Sequence, residues 1–267
     1  ASARWSDLVW NAAPLDLQVE SMSPILFEAG LQLLESLDFE FYRERRTRTV
    51  FSRSITYVTR AVVPILHKFG ITGLVIASGL DSSNLVPEVP KIHRWIDAAS
   101  GAEVVVVYQP YGDTTESFPD CAESPNGVAL CVEFRSVNSG PPPSVSHVEH
   151  TLQKVRSAYP RSNVKSSTFD DFMKIVMQAK DSLPHFDLEV GDATICGFAS
   201  DPLKIAQTRA IQRIWDECFR RLDRRCTHED PAIANMTFYL LKVFERSWGM
   251  SASEICCNCD NYDAGLF

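Results

Sequence analysis

Thr47-Arg48-Thr49-Val50-Phe51-Ser52, then Val58 to Phe69 closed by Gly70, then Gly73-Leu74-Val75-Ile76-Ala77: these runs decide the fold class. The first and last are short, apolar and β-branched, and the middle run carries a helical stripe. Strand, helix, strand at this spacing implies a β/α unit whose two strands lie parallel. The rhythm extends upstream, where Leu8-Val9-Trp10-Asn11-Ala12 reads as a strand. Ser23-Pro24 then opens a helix with the stripe Ile25, Leu26, Ala29, Leu33 and Leu34.

Downstream, Ile92-His93-Arg94-Trp95 and Glu103 to Tyr108 flank the turn-rich Asp97-Ala98-Ala99-Ser100-Gly101, as in a β-hairpin. This hairpin, near 91–110, reads as an insertion on the sheet. Residues 109–126 read as a long surface loop, Gly127 to Phe134 as a strand, and Ser139 to Pro143 as a rigid connector into a helix from Val145 to Ala158. Asn163 to Ser167 is a short strand candidate, Phe169 to Lys180 a helix and Phe186 to Val190 another strand. From about residue 200 the pattern turns helical, through Phe219 to Arg225 and from Pro231 to Arg246.

A chain of 267 residues with 45% hydrophobic side chains can bury a sizeable core, and it reads as one α/β domain spanning 1–267. Its 26 basic and 34 acidic residues give a formal charge of −8, which argues against nucleic acid as a partner. No apolar run is long enough to span a bilayer. The chain opens Ala-Ser-Ala-Arg-Trp, without Met or leader, and is read as a piece of a longer protein. Of eight cysteines, Cys131, Cys196 and Cys218 stand singly in apolar runs, where a reduced, buried thiol is the ordinary expectation; the compartment stays open. Cys256, Cys257 and Cys259 lack the paired spacing of zinc modules.

Carboxylates in loops are the first candidates for chemistry, since glycoside, ester and metal reactions all need them. Glu20, Asp81 and Asp192 qualify, each after a strand-like run; a cap or solvated loop role is the alternative for each. Asp192 ends the run Asp187 to Gly191, ahead of a helix start at Ser200-Asp201-Pro202. Trp10, Tyr108, Tyr111 and Trp248 could stack on a pyranose face, or pack in the core or its rim. His147 and His150, at i, i+3, read as solvated. Dinucleotide, phosphate-loop, nucleophile-elbow and zinc-helix signatures are all missing from the sequence.

Several stretches together resemble an uncharacterised family related to the catalytic domain of glycoside hydrolase family 38, the retaining α-mannosidases. They are Leu8 to Pro14 with Glu20 and Leu26 to Leu31; Thr59 to Pro64 with Gly70-Ile71; and Val86 to Pro90 with Arg94-Trp95. Ser100 to Glu103 with Tyr108 and Tyr111-Gly112 follow, then Gly191-Asp192, Ala199 to Lys204, and Ser247-Trp248-Gly249 with Asp260-Asn261-Tyr262. The resemblance implies a distorted seven-stranded β/α barrel, incomplete at its N-terminus, and carbohydrate as the partner.

In such mannosidases zinc is held by a His-x-Asp pair, the nucleophilic Asp and a late His. Here the first pair would precede residue 1, the nucleophile position falls on Ser54, and the late imidazole is Arg246. The resemblance therefore implies no bound cofactor and a hydrolytic activity that is weakened or lost. It assigns Asp192 as acid/base with Ser54 at the nucleophile position. It puts Trp10, Asn11, Glu20, Asp81, Tyr108, Tyr111, Arg246 and Trp248 toward substrate. The alternative is a noncatalytic carbohydrate-binding or protein-interaction domain.

Overall fold

The computed structural model describes residues 9–42, 48–53, 58–78, 89–110, 121–133, 142–190, 201–220, 226–227 and 230–245. They form a mixed α/β fold around a five-stranded, mostly parallel sheet. Its strands are β1 (Thr49–Arg53), β2 (Gly73–Ser78), β3 (Ile92–Asp97), β4 (Ala102–Pro110) and β7 (His185–Phe186), in the order β1-β2-β4-β3-β7. The expected parallel unit is there: β1 pairs with β2, and β2 with β4, both parallel. The hairpin is there too, with β3 antiparallel to β4, but it is not an appendage, because β4 is the middle strand of the sheet. Strand β7 runs parallel to β3 and ends the sheet after two residues.

Alternation along β4 explains its central place. Val104, Val106 and Tyr108 face a core shared with α1 (Pro24–Tyr42), α2 (Val63–Lys68), α5 (Pro202–Arg220) and α6 (Pro231–Val243). Val105 and Val107 face the opposite side, where Phe172, Met173 and Val176 of α4 (Phe169–Val176) close a second core. A strand buried on both faces reads as a continuous apolar run, as Val104 to Val107 does. Helix α4 lies so close to β2 that a Cβ at Gly73 would stand 2.7 Å from Met173 Cγ. At the end of α2 the chain reverses through Gly70, at φ +64°, a conformation glycine adopts without a side-chain clash.

Several expectations are corrected. Residues 9–12 form no strand; instead the Asn11 side chain pairs with the edge of β1. The Phe51 N–H donates to Asn11 Oδ1 at 2.8 Å and Asn11 Nδ2 donates to the Phe51 carbonyl at 2.7 Å, while the Ala12 N–H reaches the Thr49 carbonyl at 3.1 Å. Asn163 to Ser167 is an irregular connection rather than a strand, because its side chains are largely exposed and no strand among the described residues pairs with it. Within 127–133 only β6 (Ala129–Leu130) is extended, paired to β5 (Ala122–Glu123). The run from Phe186 contributes β7 and, at Val190, a single bridge to Val58.

Helices at Pro24, Val145–Ala158 (α3), Phe169 and from Pro202 onward stand where the pattern puts them. Cys131 and Cys218 are not lone thiols. Cys121 is bonded to Cys131 across the β5–β6 hairpin, and Cys218 near the end of α5 is bonded to Cys226. No helix among the described residues is long and apolar enough to cross a membrane.

Candidate functional site

Helix α2 begins in a 3-10 turn, Arg60–Val62, that packs against β3. Free backbone N–H groups gather at such a start, and here each finds an acceptor. Thr59 is the N-cap, its hydroxyl accepting from the Ala61 N–H at 3.3 Å. The two preceding donors are taken by carboxylates from distant parts of the chain. Glu20 Oε1 accepts from the Thr59 N–H at 3.2 Å, and Glu189 Oε2 accepts from the Arg60 N–H at 2.7 Å. Glu20 belongs to a short 3-10 turn, Val19–Ser21; Glu189 lies just beyond β7.

Both approaches are fixed by neighbours. The Glu189 segment is held by the Val58 N–H on the Val190 carbonyl at 3.0 Å and by Trp95 Nε1 on the Leu188 carbonyl at 2.8 Å. Arg60 Nη1 donates to the Asp187 carbonyl, and its Nε stands 4.0 Å from Asp97 Oδ1. The Glu20 turn is tied by the Gln18 N–H to the Phe244 carbonyl at 2.8 Å. It runs into Ser23, whose hydroxyl caps α1 and donates to Asp216 Oδ1 at 2.6 Å.

A cleft of about 330 Å³ opens beside this junction, lined by Glu20, Met22, Ser23, Phe27, Thr59 and Ile65 among others. Burial of its carboxyl pushes Glu20 up to about 7 from an ordinary 4.5, and the negative charge of Glu189 acts in the same direction. The N–H bonds from Thr59 and from the Glu20 backbone oppose the rise without cancelling it. Glu20 is thus a carboxyl that both holds and releases a proton near neutrality, the property a general acid or base needs.

The remaining sequence candidates separate. Trp10 donates from Nε1 to Asp38 Oδ1 at 3.1 Å and packs on Phe41 and Tyr42, so it anchors the chain to α1. Asn11 serves the edge of β1, as above. Tyr108 is 2% exposed and forms part of the core, with no face open to a ligand. Ser54, Asp81, Tyr111, Asp192, Arg246 and Trp248 lie outside the described residues. Only Glu20 of the candidates reaches the cleft among the described residues.

Sequence reasoning passes over two residues. Glu189 sits within the quoted run Asp187 to Gly191, but its proximity to Arg60 depends on a contact across 129 positions. His93 lies fully buried on β3, its Nδ1 2.7 Å from the Pro90 carbonyl and its ring against Phe186. Burial pushes it down to about 4, so it stays neutral, donating from Nδ1 to that carbonyl.

Among the described residues no three His, Cys, Asp or Glu side chains gather to hold a metal ion. The cleft sets one carboxyl, that of Glu20, beside the apolar side chains of Met22, Phe27 and Ile65. Compared with known proteins, the chain matches no family model and no curated sequence.

Proposed function

We propose that this chain is a carbohydrate-acting domain of the glycoside hydrolase family 38 lineage, with Glu20 as its proton-transfer group. The observation that carries the reading is the carboxyl of Glu20, which lines an open cleft, accepts from the Thr59 N–H beside the Glu189 carboxylate, and is pushed by burial up to about 7. Glycoside cleavage needs one carboxylic acid to protonate the leaving oxygen and one carboxylate on the other side of the anomeric carbon. Glu20 takes the first role. Asp192, three residues beyond Glu189, is assigned the second, in place of the acid/base role that the resemblance suggests for it.

In this reading the five-stranded sheet is part of a distorted seven-stranded barrel, and residues 9–12, hydrogen-bonded along the edge of β1, stand where a preceding strand would pair. Asp81, Tyr111 and Trp248 are assigned to substrate hydroxyls and ring faces. Ser54 at the nucleophile position and Arg246 at the late imidazole favour a second reading, a noncatalytic carbohydrate-binding domain.

Hydrolysis of aryl α-mannosides, followed from pH 5 to 9 with zinc and with a chelator, separates the two. The catalytic reading expects slow, chelator-insensitive turnover that declines as pH rises through about 7, and a loss of roughly 100-fold or more in Glu20→Gln. Glycan binding without turnover favours the second reading. Neither binding nor turnover overturns both.

A further inference from the structure

We propose that Asn235 is an N-glycosylation site, and that its oligosaccharide covers the aromatic pair Phe238 and Tyr239 on the outer face of α6. Asn235-Met236-Thr237 is an acceptor sequence of the form Asn-x-Thr, with no proline at the middle position. Asn235 is exposed, and its side-chain amide makes no hydrogen bond among the described residues.

Three and four residues along the helix, on the same face, stand Phe238 and Tyr239. They are 49% and 67% exposed, with ring centroids 5.6 Å apart. Two large adjacent rings left in water are a liability that a bulky, hydrated sugar beside them would relieve.

An independent observation gives the chemistry its setting. The bonds Cys121–Cys131 and Cys218–Cys226 belong to oxidising compartments, which are also where oligosaccharides are transferred to asparagine. The second of these bonds ties the last turn of α5 to the segment ahead of α6, close in sequence to the acceptor.

The hydroxyl of Thr237 fixes the order of events. In the folded chain it is buried, accepting from Trp215 Nε1 at 2.8 Å and donating to the Ile233 carbonyl at 2.8 Å. Transfer therefore acts on the emerging chain, before α6 docks on Trp215. The donor is a polyprenyl-pyrophosphate-linked oligosaccharide. Asn235 Nδ2 attacks its C1, the C1–O bond to pyrophosphate breaks as the C1–N bond forms, one amide proton leaves, and nothing is oxidised or reduced.

The test is peptide mass mapping of the full chain, recovered without reduction from the cells that make it. The expected result is a glycan on the Asn235 peptide, released by an amidase that leaves Asp in its place and absent from Asn235→Gln. A bare Asn235 overturns the proposal, as do free thiols at Cys121, Cys131, Cys218 and Cys226. Thr237→Ser, which retains both the acceptor sequence and a hydroxyl for Trp215, is expected to keep the glycan. For the covering role, Asn235→Gln is expected to bind several-fold more of an apolar dye, and Phe238→Ser with Tyr239→Ser to reverse the gain. Unchanged dye binding would overturn that part.

Discussion

Strand β4 and the junction at Thr59 are held together in opposite ways. At the centre of β4, Val104 to Val107 is an unbroken apolar run, buried on both faces, and its order follows from removing valines from water. The junction joins Glu20, Thr59 and Glu189, drawn from three distant parts of the chain, through backbone N–H groups that carboxylates satisfy. A core of the first kind tolerates many apolar sequences. The second depends on particular atoms, and an unpaired member leaves a buried donor or charge behind. Burial moves one titratable group in each setting away from its ordinary range, His93 in the sheet downward and Glu20 at the junction upward.

The comparison breaks most sharply at Trp95 of β3, which pairs with Val104 of β4 and reaches the junction. Its ring is fully buried under the sheet, and its Nε1 holds the segment that carries Glu189. Trp95→Ala is expected to cost about 3–5 kcal/mol in urea unfolding. A loss below about 1 kcal/mol would remove Trp95 from the core.

His93 tests the sheet alone. Its folded value near 4 lies below the unfolded 6.5, so the stability tied to its neutral form is complete above pH 6.5 and is lost as pH falls through 4. About 3 kcal/mol is at stake in that window, and His93→Gln is expected to flatten this acid limb in denaturation curves taken from pH 7 to 4. An acid limb of unchanged depth would locate the titrating group elsewhere.

Glu20 gives the smaller effect, of the opposite sign. Its folded value near 7 lies above the unfolded 4.5, so stability is full below pH 4.5 and declines as pH rises to 7. Because the side chain is only half-buried, the loss is about 2 kcal/mol. Glu20→Gln, which keeps an acceptor for the Thr59 N–H, is expected to be more stable than the parent by that amount at pH 8 and equal to it at pH 4.5. Equal stability at both pH values would mean that the carboxyl is solvated.

The same contrast governs what could be read from the amino acids. Val104 to Val107, the stripe after Pro24 apart from the exposed Leu33, and the closing Gly70 carry local signals that agree with their environment, and the strands and helices they predict are present. Asn11 defeats the local signal, since a side-chain amide can satisfy the same backbone groups as a strand. The single cysteines in apolar runs mislead in the same manner, because pairing depends on where the chain turns, as at the β5–β6 hairpin. At the candidate site Glu20 is legible as a carboxylate in a loop, whereas Glu189 is not: nothing within ten residues of it announces Arg60. Periodicity reports which face is buried; it does not report which distant donor a carboxylate will meet.

Asn11 has one more effect. Among the described residues, β1 ends the sheet, and its outer edge presents backbone groups to which an extended chain could add, the usual route to strand exchange and fibrous association. By occupying both the N–H and the carbonyl of Phe51, one amide side chain closes that edge at its midpoint without contributing a strand of its own. With the Ala12 N–H on the Thr49 carbonyl beside it, that amide guards this edge among the described residues through a geometry that matches a peptide bond.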